Sequence, residues 1–201
     1  MISTAATGFL AGLSLIVAIG SQNAFVLRQG LRRTHVALVV TVCALSDLLL
    51  IGFGVGGLGV VIEKAPGLLE VVRWAGALFL LGYAVLAARR TVRGEALDAD
   101  GGVRQTSWRA ALGTSLALTW LNPHVYLDTV LLLGSLASAH GAEGRWWFGA
   151  GAGLGSIVWF TALGVGARYL APLFRRRSAW RVMDSVIAVV MVVLAVTLVI
   201  G

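Results

Sequence analysis

The sequence predicts an all-α integral membrane protein of six transmembrane helices, arranged as an inverted 3+3 repeat, and three observations carry that expectation. Of the 201 residues, 58% are hydrophobic and 12% charged, well below the roughly 25% charged content of soluble domains. Apolar runs long enough to cross a bilayer, about 20 residues each, recur six times along the chain. Polar and small-residue landmarks then repeat between the two halves at nearly constant offsets, the mark of repeat-built transporters.

The six runs cover roughly 3–27, 36–62, 68–88, 110–137, 147–170 and 182–200, judged by the length a bilayer demands. The opening "MISTAATGFLAGLSLIVAIG" lacks a basic n-region and is more extended than a signal-peptide core, so it is expected to persist as helix one. That helix meets a polar break at Gly20–Asn23, "GSQN". Helix two carries "SDLLL", and helix three leads into "RRTVRGEALDADGGVRQTSW", the one hydrophilic stretch of any length. This stretch reads as a linker. It divides the chain into a first three-helix repeat (1–88), a linker (89–109) and a second three-helix repeat (110–201). Helix four is broken in turn at Leu121–His124, "LNPH".

The correspondences between halves support that division. Ser46 and Gly54-Val55-Gly56 match Ser156 and Gly164-Val165-Gly166 at an offset of 110, and Arg73 with Val85-Leu86-Ala87 matches Arg181 with Val193-Leu194-Ala195 at 108. With three helices each, the halves must lie in opposite orientations. Small residues four apart, Gly149/Gly153, Gly151/Gly155 and Gly52/Gly56, are expected to let helices approach closely.

The formal charge is +7, yet in a membrane protein its distribution matters more than its sum. The loops after helices one, three and five hold Arg28, Arg32, Arg33, Arg89, Arg90, Arg93, Arg104, Arg109, Arg168, Arg175, Arg176, Arg177 and Arg181; the opposite side holds Lys64, Arg73 and Arg145. The positive-inside rule puts the basic loops in the cytoplasm and both termini outside. Clusters such as "FRRRSAWR" are then orientation signals and contacts for anionic membrane lipids, with no nucleic-acid partner expected. Cys43 is the only cysteine. It excludes an internal disulfide, a CxxC pair and a cysteine metal site, and is read as a small core residue. His35, His124 and His140 are scattered, so neither an enzyme nor a cofactor or metal is expected.

Among the nine acidic residues, Glu63, Glu70, Glu95, Asp98, Asp100 and Glu143 fall in loops or at helix edges, and Asp184 lies where it complements a helix N-terminus and can pair with Arg181. Asp47 and Asp128 fall inside helices two and four. A carboxylate at the bilayer centre costs about 2.5–3.5 kcal/mol on insertion scales, so each is a functional-site candidate. The breaks complete the set: a helix interrupted in the membrane exposes backbone groups. Pro123 lacks an N–H and disfavours helix at Asn122, while Gln22 and Asn23 bring amide donors and acceptors. Two carboxylates for cations beside two amide-rich breaks for an anion describe a site for a zwitterion with additional positive charge, such as a basic amino acid. His124 is expected either to contact substrate or relay protons, or to make a hydrogen bond at the break.

Several blocks together, "AIGSQN" at Ala18–Asn23, "FVLRQGLRR" at Phe25–Arg33, "SDLLL" at Ser46–Leu50, "RWAGALFLLGYA" at Arg73–Ala84 and "TWLNPHVYLDTVLLLG" at Thr119–Gly134, closely resemble the bacterial lysine/arginine exporter family of LysE-type amino-acid exporters. The resemblance covers nearly the whole chain. It implies a multi-pass protein of the bacterial plasma membrane that exports L-lysine or L-arginine, driven by the proton-motive force, with Gln22, Asn23, Asp47, Asn122, Pro123 and Asp128 lining the pathway. Ser21 stands where many relatives have proline, so a softer first break is expected. The rival readings are an exporter of neutral amino acids or another small cation, whose neutral branch typically has "PGP" at the first break, and a non-transporting membrane scaffold. Proton antiport is expected to run through Asp47 or Asp128, and a homodimer is allowed.

Overall fold

The structure, a computed structural model, describes residues 1–17, 20–57, 66–93, 107–172, 174 and 177–200. Most of the expected linker (94–106), and with it Glu95, Asp98, Asp100 and Arg104, lies outside the described residues, as do Glu63, Lys64, Arg175 and Arg176. The described residues are helical, with no strand among them.

The first apolar run forms two helices. Helix α1 spans Ile2–Ile16 and α2 spans Ser21–Arg32, entered from Gly20 in an extended conformation (φ −121°, ψ 175°). Their axes are bent by 83°. The break is therefore sharp without a proline, contrary to the softer kink expected from Ser21, and Gly20 at the start of α2 is extended rather than helical.

Helix α3 (Val36–Val55) is apolar apart from Thr41, Ser46 and Asp47, α4 (Pro66–Arg93) begins on a proline, and α5 covers Trp108–Trp120. The "LNPH" break falls where proline chemistry places it. Asn122 is extended (φ −102°, ψ 104°) because it precedes a proline, and Pro123 opens the next helix, where its missing N–H leaves nothing unpaired. There follow a short α6 (Pro123–Val125), a π-helical segment Tyr126–Leu132, and α7 (Leu133–Ser138). A turn at Gly141, with φ +76°, leads to α8 (Gly141–Leu170), and α9 (Arg177–Ile200) closes the chain.

Helix α8 is the central post. Gly151 and Gly155 meet Ala5 and Phe9 of α1, whereas Gly149 and Gly153 meet Val55 and Leu48 of α3. The order of these contacts makes α1 parallel and α3 antiparallel to α8. The two glycine pairs expected to mediate packing on α8 do so, on two faces. The third does not: Gly52 has no neighbour near its Cβ position, and it is Gly54 that α3 presses against Thr129 and Val130. Helix α4 runs antiparallel to α9, with the Arg73 guanidinium donating to the Val199 carbonyl.

Among the described residues, three helices, Val36–Val55, Gly141–Leu170 and Ser178–Ile200, are long and apolar enough to cross a membrane singly, and α1 with α2 makes a fourth if counted as one broken span. The segment from Trp108 to Ser138 is cut at Asn122, which leaves the 13-residue α5 too short to cross a bilayer by itself. Large apolar residues such as Leu45, Leu49, Leu78, Val189 and Val193 face outward, while Ser46, Asp47, Ser115, Thr119, Asn122 and Ser156 are buried. A polar interior inside an apolar jacket is the arrangement lipid favours.

One acidic residue behaves differently from expectation. Asp184 is not a helix-edge carboxylate but a buried one, 3% exposed, joined to an equally buried Arg28 of α2. Arg28 in turn is no loop charge, because the break at Gly20 swings α2 inward against α9.

A cavity where two broken helices meet

Both breaks open onto one cavity of about 400 Å³ between α1, α2, α3, the Asn122–Leu133 segment, α8 and α9. Among the expected site residues, Gln22, Asn23, Asp47, Asn122, His124 and Asp128 all line it; Pro123 does not. Pro123 is buried behind the wall and acts through the backbone it forces at Asn122.

Asp47 is 4% exposed and accepts a hydrogen bond from Ser156 Oγ at 2.8 Å. Gln22 lies against it and against Cys43, which is fully buried, as a core residue should be. Asp128 is exposed on the π-helical segment, with His124 one turn away along the chain. Among the described residues, no lysine or arginine pairs with either aspartate. Among the described residues, the cavity thus holds two carboxylates and no lysine or arginine.

The two asparagines are largely occupied. Asn23 Nδ2 donates to the Ile16 carbonyl at 2.6 Å, and its Oδ1 accepts from Trp159 Nε1 at 3.1 Å, so this amide bridges the end of α1, the start of α2 and α8. Asn122 Oδ1 accepts the His124 backbone N–H at 3.2 Å and caps the helix that Pro123 opens. The second break is further braced by Tyr126 Oη on the Trp120 carbonyl (2.8 Å) and by Trp120 Nε1 on Ser46 Oγ (3.1 Å). In contrast, Ser21 Oγ, Gln22 Nε2 and His124 Nε2 are buried on the cavity wall without a hydrogen-bond partner among the described residues. Buried polar atoms are ordinarily bonded, and here three unbonded ones converge on one void.

Ser21, Ser156, Trp120 and Trp159 were not singled out for the site by their sequence. Only Ser156 carried a signal, its 110-residue offset from Ser46, and the geometry gives the two serines different partners, Asp47 and Trp120.

The profile of the LysE type translocator family matches residues 13–201. The chain belongs to that family. Among LysE-type relatives, a Mycobacterium tuberculosis protein named "Putative amino-acid transporter Rv0488" is 48% identical over 92% of this chain and 90% of its own. The arginine exporter protein ArgO of Serratia proteamaculans is 41% identical over 95% and 93%, and the lysine exporter LysE of Corynebacterium efficiens is 37% identical over 96% of each chain. No solved structure matches. Membership of a translocator family, with its apolar helices, makes this a multi-pass membrane protein and a transporter rather than an enzyme.

Proposed function

We propose that the protein is a secondary transporter that exports basic L-amino acids, L-lysine or L-arginine, from the cytoplasm by proton antiport with alternating access. The observation that carries the reading is the cavity itself. Asp47 and Asp128 stand in it with no lysine or arginine beside them among the described residues, so a cationic side chain is the complement they lack. The names of the arginine and lysine exporters among the relatives support the same substrate class.

Alternating access needs two halves that exchange roles, and the packing supports an inverted repeat of 1–88 and 110–201. Gly30 of α2 lies against the Gly164 carbonyl of α8, and Gly134 of α7 lies against the Gly54 carbonyl of α3. Each broken helix therefore presses one glycine onto the counterpart, at an offset of 110, in the other half. Both breaks reach one cavity, as a site at the repeat interface requires.

Export of a cation works against the membrane potential by about 2.3 kcal/mol per charge per 100 mV, so an uncoupled carrier would admit the substrate instead. Competition for one carboxylate supplies the coupling. A proton from outside neutralises Asp47 or Asp128, the substrate leaves there, and the neutral carboxyl returns to face the cytoplasm. Counterflow in proteoliposomes with a panel of labelled amino acids tests the substrate: arginine or lysine should exchange and neutral amino acids should not. Asp47→Asn and Asp128→Asn should each abolish exchange while membrane insertion persists, since removing a buried charge eases insertion. Normal exchange by either variant would remove that aspartate from the mechanism.

A further inference from the structure

Two helix beginnings reach the cavity wall, and they differ in what they have left to offer. The one after the second break is already closed by its own residues. Asn122 Oδ1 takes the His124 N–H, Pro123 has no N–H, and Asp128 places a carboxylate in the first turn of the π-helical segment. An anion there would find few donors and meet a negative charge.

The beginning of α2 differs. Among the described residues no side chain caps this 12-residue helix, and its first turn holds no acidic residue of its own, although Gln22 lies against Asp47 of α3. The first N–H groups of an α-helix have no intrahelical acceptor and carry the positive end of its dipole. Ser21 sits at the first helical position, 0% exposed, with its Oγ unbonded among the described residues and on the cavity wall. Gln22 Nε2 next to it makes no hydrogen bond among the described residues and its side chain lies against Asp47. The buried Ser21 hydroxyl and the Ser21 and Gln22 N–H groups at the start of α2 are donors on the cavity wall for which no acceptor is found among the described residues.

Building on the export reading, we propose that the substrate's α-carboxylate binds at the N-terminus of α2, to the Ser21 hydroxyl and the first-turn N–H groups, and not at the Asn122 break. The cationic end then belongs to Asp47 and Asp128. Recognition at α2 requires a free carboxylate, so amides and decarboxylated analogues are discriminated against by this helix alone.

The test is competition in counterflow by the full-length chain, with L-arginine compared against L-argininamide and agmatine, which keep the guanidinium and lack the carboxylate. In the wild type the two analogues should compete at least about tenfold more weakly, the scale of one lost charge-assisted hydrogen bond. Ser21→Ala should shrink that ratio severalfold. Ser21→Asp, which sets a negative charge on the helix start, should abolish or invert it. Asn122→Asp, the same charge at the other break, should leave the ratio within about twofold whatever it does to the rate. Loss of discrimination in Asn122→Asp with retention in both Ser21 variants, or wild-type ratios in all three, overturns the assignment. Should Ser21→Asp fail to fold, Ser21→Ala decides through the same ratio. A wild type that exchanges only neutral amino acids would overturn the basic-substrate reading instead, and the comparison of such an amino acid with its amide in the same variants would still locate the carboxylate.

Discussion

Asp47 is positioned as well as buried, because Ser156 of α8 donates to one of its oxygens across the helix interface. On the export reading proposed above, that hydroxyl orients the carboxylate toward the substrate's cationic group. Ser156→Ala is expected to raise the half-saturating substrate concentration about tenfold, the scale of one hydrogen bond to a charged group, with the maximal rate changed little. Ser156→Thr should restore most of the affinity. Transport kinetics in proteoliposomes measure both, and an unchanged affinity in Ser156→Ala would show that Asp47 needs no orientation. Asn23 holds the break rather than waiting for ligand, since both ends of its amide are bonded.

Two contacts tie the elements together in different ways. The Arg28–Asp184 pair pins α2 to α9 inside the bundle. Removing one partner of a buried pair strands the other, at a cost of about 3–5 kcal/mol, whereas replacing both with apolar residues is often neutral. Arg28→Ala or Asp184→Ala should therefore lower the yield and melting temperature of detergent-solubilised protein sharply, and Arg28→Met with Asp184→Leu should recover them. At the other contact, a Cβ on Gly134 would come within 2.7 Å of the Gly54 carbonyl. Gly134→Ala should cost about 1–3 kcal/mol through overpacking. The control is Gly52→Ala, whose Cβ meets nothing and which gains up to about 1 kcal/mol of helix propensity. Thermal melts that rank these two variants in the opposite order would refute the packing.

For the molecule as a whole, orientation and coupling are linked, because export has a direction only once the basic loops are assigned to a side. In a Cys43→Ser background, a cysteine at Asp98 should react with an impermeant thiol reagent in inside-out vesicles and not in intact cells, since the linker is expected in the cytoplasm. Labelling in intact cells would reverse the orientation. With the potential clamped at zero, a pH gradient acidic on the outer face should still accelerate export from loaded vesicles. The sign follows from the exchange: outer protons displace substrate from Asp47 or Asp128 outside, and the alkaline inner face strips the returning carboxyl. A rate that follows voltage and ignores the gradient would exclude antiport through these aspartates.

Much of the lining of the candidate cavity was legible in the sequence because the bilayer makes polarity conspicuous. An aspartate inside "SDLLL" or "VYLDTV" has no cheap reason to be there, and Asn122-Pro123 announces its own break through proline's missing N–H. The all-helical membrane class and the family followed from apolar runs and local motifs, which are properties of contiguous residues. What depended on residues far apart in the chain waited for the tertiary structure. Arg28 and Asp184 are 156 positions apart, and nothing local distinguishes either from a surface charge. Ser21 looked like a substitution in a break, and only its burial on the cavity wall, without a partner among the described residues, makes it a donor awaiting an acceptor. Composition and periodicity determine that a residue avoids lipid, but packing decides which distant group it meets, because a side chain's hydrogen bonds are set by its neighbours in space.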